Sequence, residues 1–109
     1  YTDSMEKSIK WFRDMPDFNV VFTCLESIDK DQNNVRYIGP MLSGKGLKER
    51  LPSFFDEVFH MVVVEGSDGV FRRVFYTQPY EDRPAKDRSG KLEPFERPSL
   101  MAIKNKILA

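Results

Sequence analysis

Phe18-Asn19-Val20-Val21-Phe22-Thr23-Cys24 decides the architecture. Apart from Asn19 and Thr23 every residue in this run is apolar, so both alternating faces of an extended chain are apolar. That is how a central strand covered on both sides reads. Ahead of it Met5, Ile9 and Phe12 recur at i, i+4 and i+7, Ser4 stands where a cap is wanted, and Pro16 halts propagation. The spacing predicts an amphipathic helix over residues 5–15. A helix running straight into such a strand is half of a βαβ unit, which implies a parallel sheet with helices on its faces. The expected fold is α/β: a partial sheet with one central parallel-type strand and a β-hairpin, flanked by helices, in a single domain spanning residues 1–109.

Downstream of this run, residues 25–34 turn polar and read as an exposed excursion, and residues 35–38 read as a short strand. A helix is expected over residues 47–55, with Pro52 kinking it or starting a second turn. Residues 58–65 and 70–78 are β-rich and joined by Gly66-Ser67-Asp68-Gly69, whose Asp-Gly step signals a hairpin. Residues 79–97 lack periodicity and balance their charges, as functional or disordered loops do. Pro98 suits the first turn of a closing helix striped by Leu100, Ile103 and Ile107.

Bulk properties narrow the classes. A chain of 109 residues with 40% hydrophobic residues and nine Phe builds one small core and has no room for a second domain. Seventeen Lys plus Arg balance seventeen Asp plus Glu, which excludes a strongly basic nucleic-acid coat and a highly charged disordered tail. The single Cys24 allows neither an internal disulfide nor a Cys-rich zinc site and points to a reducing, intracellular setting. No apolar run approaches the ~18–20 residues a membrane helix needs, and the first residues lack a basic n-region followed by an apolar h-region, so the expectation is a chain that is not secreted. The expected protein is soluble, and a start at Tyr1 without Met reads as a piece cut from something longer.

Three constellations could carry chemistry. Gly39-Pro40-Met41-Leu42-Ser43-Gly44-Lys45-Gly46 satisfies G-x-x-x-x-G-K and then fails, because Gly46 stands where a Ser or Thr hydroxyl must hold magnesium. Pro40 also removes one N–H from the cradle, and the preceding strand is short and polar, so an ordinary Gly-rich turn into a helix is the better reading. In Lys86-Asp87-Arg88-Ser89-Gly90, two cations two residues apart in extended chain point the same way and can reach an anion outside their own domain. The plain alternative is a solvated cluster neutralised by Asp82 and Asp87. Thr23, Cys24 and Glu26 end the presumed central strand, where open α/β sheets bind ligands, unless the strand simply ends in polar residues. His60 shares a face with Val58, Val62 and Val64 and reads as a semi-buried sheet residue; Cys24 reads as a small buried hydrophobe. Asp56 and Glu57, being adjacent, face opposite sides of a strand and cannot form a dyad with each other.

Read in order, residues 18–24, the polar excursion, Pro40-Met41-Leu42-Ser43-Gly44-Lys45 followed by Leu47, Leu51 and Asp56-Glu57-Val58, the hairpin, and Lys86-Asp87-Arg88 before Gly90 form a pattern. It resembles the C-terminal half of RecA-like, AAA-type P-loop ATPases of phages and prophages, relatives of recombinases that act with single-strand annealing proteins. The resemblance covers residues 20–108. It implies a RecA-like sheet whose Walker A and Walker B motifs lie upstream of Tyr1, and a complete protein that binds ATP and Mg2+, assembles as a homo-oligomer and acts in DNA recombination or replication in the cytoplasm of a bacterial host. In that family the stretch after the central strand contacts DNA, single-stranded DNA included, which here falls within residues 27–45 and its cations Lys30, Arg36 and Lys45. Thr23 and Glu26 would be the sensor linking nucleotide state to that loop. Lys86 and Arg88 would act in trans on the γ-phosphate held by a neighbouring subunit, a role worth roughly 10³–10⁵ in rate for an arginine in GTPases. On this reading the stretch alone neither holds nor hydrolyses ATP and needs no cofactor. The competing reading is a free-standing α+β binding module without catalysis, whose charged loop docks a partner. A nuclease is disfavoured, since no Asp/Glu cluster has metal-ligand spacing on one face.

Overall fold

A computed structural model describes residues 2–30, 32–42 and 45–109, with the side chains of Thr2 and Lys45 left aside. The chain is mixed α/β and divides into two compact units, Tyr1–Phe55 and Asp56–Ala109.

In the first unit, helix α1 spans Thr2–Arg13, with Asp3 in its first turn and Lys10 and Arg13 in its last, charges that complement the helix dipole. It starts ahead of the expected Ser4 cap. The helix stops before Pro16, which has no N–H to donate and disfavours helical backbone at Met15. Of its apolar stripe Ile9 is buried, while Phe12 packs edge-on at 6.4 Å from Phe22, which in turn lies 5.2 Å from Phe55. Strands β1 (Glu26–Lys30) and β2 (Arg36–Pro40) form an antiparallel hairpin with Ile28 opposite Ile38. Asn34, at φ 64°, takes the left-handed turn that Asn tolerates. Helix α2 (Lys45–Arg50) follows and passes into a 3-10 turn at Leu51–Phe54, because Pro52 in the first turn cannot donate to an α-helical ladder. Leu47 on α2 is fully buried.

Two expectations are corrected here. Residues 18–24 are not a strand: no ladder among the described residues includes them, and Phe18 and Val21 are 68% and 59% exposed. A run apolar on both faces is a central strand only where neighbours satisfy its backbone and cover both faces. Cys24, expected to be buried, is exposed for the same reason. Conversely, part of the polar excursion is strand β1. Its single Ile28 hides the pattern, because Ser27 and Asp29 on the alternate face are polar yet satisfied: Ser27 donates its hydroxyl to Asp29, which also receives Lys48 Nζ at 3.3 Å.

The second unit carries the expected hairpin, β4 (His60–Glu65) against β5 (Phe71–Tyr76). The Asp-Gly turn works as read: Gly69 sits at φ 77° and Gly66 N–H donates to the Val70 carbonyl at 2.9 Å. His60 is buried opposite Tyr76. Two further short strands arise inside the stretch expected to be loop: β6 (Lys86–Asp87) pairs with β3 (Glu57–Val58), and β7 (Phe95–Glu96) pairs with β5. Helix α3 (Leu100–Leu108) is capped by Ser99, whose hydroxyl accepts the Ala102 N–H, so Pro98 precedes the cap rather than entering the first turn. Ile103 is its buried residue. The α/β class holds, and every ladder among the described residues is antiparallel, so no parallel-type pairing is seen among them. No helix is long and apolar enough to cross a membrane.

Candidate functional site

The Lys86-Asp87-Arg88 segment is held by β3. Glu57 pairs with Asp87 and Val58 with Lys86, and the ladder continues one step further as the Arg88 N–H donates to the Asp56 carbonyl at 3.1 Å. Alternation then puts Lys86 and Arg88 on one face of the ribbon with Asp56 and Val58, and Asp87 on the other face with Glu57. The expectation that both cations point the same way agrees with this register. Their expected neutralisation by Asp87 does not, since Asp87 turns to the opposite face. Arg88 Nη1 instead meets Asp56 Oδ1 at 2.6 Å, with 67% and 71% of the two side chains exposed. Such an exposed pair adds little stability and releases easily.

On the other face, Asp87 accepts from the Ser89 backbone N–H at 2.9 Å, the Ser89 hydroxyl, and the Leu92 N–H at 3.1 Å. Burial alone would raise its pKa; these donors and the hydrogen bond with Glu57 outweigh it and hold Asp87 below the usual carboxylate range. Glu57 goes the other way. Desolvation first, then the hydrogen bond and charge of Asp87, push it up to about 7 against a pull from Ser89. This cross-strand carboxyl pair escaped the sequence, because its members are thirty positions apart and meet only through the β3–β6 register. The one local signal was Asp87-x-Ser89, an Asx-turn pattern.

In the first unit, the β1–β2 hairpin places Lys30 directly opposite Arg36, both exposed, where its strands meet the connecting loop. Like charges directly opposite each other are unfavourable in a sheet, and together they make a basic end suited to an anion. The hairpin is tied to α2 by the Lys48–Asp29 ion pair at 3.3 Å, with the Ser27 hydroxyl the foremost cause of the lowered Asp29 pKa. Glu26 opens β1 opposite Pro40, and Thr23 is exposed in the irregular run before it, so neither lies at the end of a central strand. Partial desolvation and the Glu26 charge raise the pKa of Cys24 between them. Lys45 begins α2 and its side chain lies outside the described residues, as do Ser43 and Gly44 of the Gly-rich loop.

A family model for an AAA domain matches residues 1–89, which is most of the chain and takes in every one of these candidate residues. The chain belongs to the AAA domain family. The AAA domain is a P-loop ATPase-type module, and to that extent the resemblance seen in the sequence holds. Neither a curated protein nor a solved structure matches the chain. Gly39 and Pro40 are committed to the β1–β2 ladder, and Gly46 offers no hydroxyl for a magnesium ion. Among the described residues, no three His, Cys, Asp or Glu side chains gather closely enough to hold a metal.

Proposed function

We propose that this chain is the C-terminal part of a RecA-like, phage-type AAA ATPase domain that acts on DNA in recombination or replication as a homo-oligomer in the bacterial cytoplasm. The match to the AAA domain across residues 1–89 carries the reading. ATP with Mg2+ is the substrate, held by Walker A and Walker B motifs ahead of this stretch on the neighbouring subunit. Lys86 and Arg88, on one face of the β3–β6 ribbon, reach its γ-phosphate once Arg88 leaves Asp56. A guanidinium placed there stabilises charge that develops on the transferred phosphoryl group. Lys30 and Arg36 at the end of the β1–β2 hairpin, with Lys45 at the start of α2, meet the phosphates of single-stranded DNA. Thr23 and Glu26, in the segment leading into that hairpin, report nucleotide state to it.

The test is ATP turnover by the assembled protein. Arg88→Ala is expected to cut turnover by about a hundredfold or more with ATP affinity nearly unchanged, because the contact strengthens mainly in the transition state. Mixing that variant with a Walker A variant restores part of the activity, since some mixed interfaces join an intact nucleotide loop to an intact cation pair. Arg88→Lys recovers little, as a point charge does not reproduce the planar fork. Turnover unaffected by Arg88→Ala would leave the segment an ordinary charged surface.

A further inference from the structure

Glu57 and Asp87 are directly opposite cross-strand partners on one face of the β3–β6 ladder. Two ionised carboxylates set opposite each other on one face repel and neither can donate, whereas a single proton on one of them makes it a donor to the other. The surrounding donors say where it resides. Asp87 is ringed by the Ser89 N–H, the Ser89 hydroxyl and the Leu92 N–H, as an ionised carboxylate is. Glu57 keeps one oxygen, Oε2, buried without a partner, a site a neutral acid tolerates far better than a charged one.

We propose that Glu57 and Asp87 share one proton as a pH-sensitive clasp between β3 and β6, closed while Glu57 is protonated and loosened when that proton leaves to solvent. Once both groups are ionised, the like charges repel and the bond between them is gone. The neighbouring charges favour this response. Asp56, the residue just before Glu57 and β3, adds negative charge. Glu96 on β7 adds more on the Asp87 side, partly offset by Lys106 of α3, which is bound to Glu96. The cations Lys86 and Arg88 lie on the opposite face of the ribbon, where Arg88 is held by Asp56. The clasp does not rest on the roles proposed for Lys86 and Arg88; it concerns the ribbon that carries them.

The experiment follows two readouts by NMR in the 109-residue chain across about pH 5 to 9: the Glu57 side-chain carboxyl carbon and the exchange protection of the Arg88 amide, which closes the ladder on Asp56. Glu57 is expected to titrate near 7. Above that midpoint the protection of Arg88, corrected for intrinsic exchange, should fall by up to about tenfold per pH unit. In Glu57→Gln the amide donates to Asp87 without a titrating proton, so protection should not change with pH. Glu57 titrating as an ordinary carboxylate, or an Arg88 profile identical in wild type and Glu57→Gln, overturns the clasp. Should Glu57→Gln fail to fold, the wild-type Glu57 titration decides alone.

Discussion

Glu96 carries its charge almost out of water and is held by Lys106 Nζ at 2.8 Å to both oxygens and by the Glu93 N–H at 2.7 Å. Burial raises its pKa, but these partners outweigh it and keep the group below its ordinary value. A depressed folded-state pKa contributes stability that is present above the unfolded value and lost as pH falls through the folded one. Lys106→Met leaves that carboxylate buried beside a single backbone donor and should cost about 1–3 kcal/mol at neutral pH, read from urea midpoints. The deficit should shrink on acidification. Glu57 has the opposite sign: its raised pKa makes its contribution greatest below the unfolded value near 4.5 and erodes it as pH climbs to about 7. Glu57→Gln should therefore gain stability over the wild type from about pH 5 to about pH 8, and a constant difference across that range would contradict the assignment.

At the scale of elements, helix α2 is six residues long, too short to be stable by propensity, so its one buried anchor matters. Leu47→Ala should destabilise the chain by about 2–5 kcal/mol in denaturant titration, whereas Leu108→Ala at the exposed end of α3 should change little. The β1–β2 hairpin makes a separate prediction. If Lys30 and Arg36 each meet one phosphate, replacing both by Ala should lower the salt-dependence slope of single-stranded DNA binding by about 1.4, roughly 0.7 per contact. An unchanged slope would remove the hairpin from the DNA-binding surface. This hairpin was half legible: residues 35–38 read as a strand from their own pattern, but β1 needed its partner to be visible, since Ser27, Asp29 and Lys30 look like loop until the register pairs them.

For the whole molecule, amide exchange should be fastest over residues 16–25, where no described residue donates a backbone N–H to another backbone carbonyl, and slowest in the β4–β5 ladder. Protection over residues 16–25 matching that of β4–β5 would mean the run is paired after all. Calorimetric titration of the 109-residue chain with Mg-ATP should give no stoichiometric micromolar signal, because Gly46 lacks the magnesium-ligating hydroxyl and Pro40 lacks an N–H for the phosphate. A clear one-to-one isotherm would restore the Gly-rich turn as a nucleotide site.

Features set by neighbours in the chain were determined by the amino-acid order alone. The Met5, Ile9, Phe12 stripe ending before Pro16 made a helix, the Asp68-Gly69 step made a hairpin turn, and the Lys86-x-Arg88 spacing put two cations on one side of an extended segment. These follow from dihedral preference and side-chain period, which act over a few residues. The resemblance to the AAA family was also legible, from the order of short motifs. Tertiary structure decided what depends on distant partners. It left residues 18–24 outside every ladder among the described residues, joined β6 to β3 so that Glu57 stands opposite Asp87, and turned Arg88 onto Asp56. A strand is defined by the chain beside it and a carboxylate's charge by the groups around it, and neither is written in the local sequence.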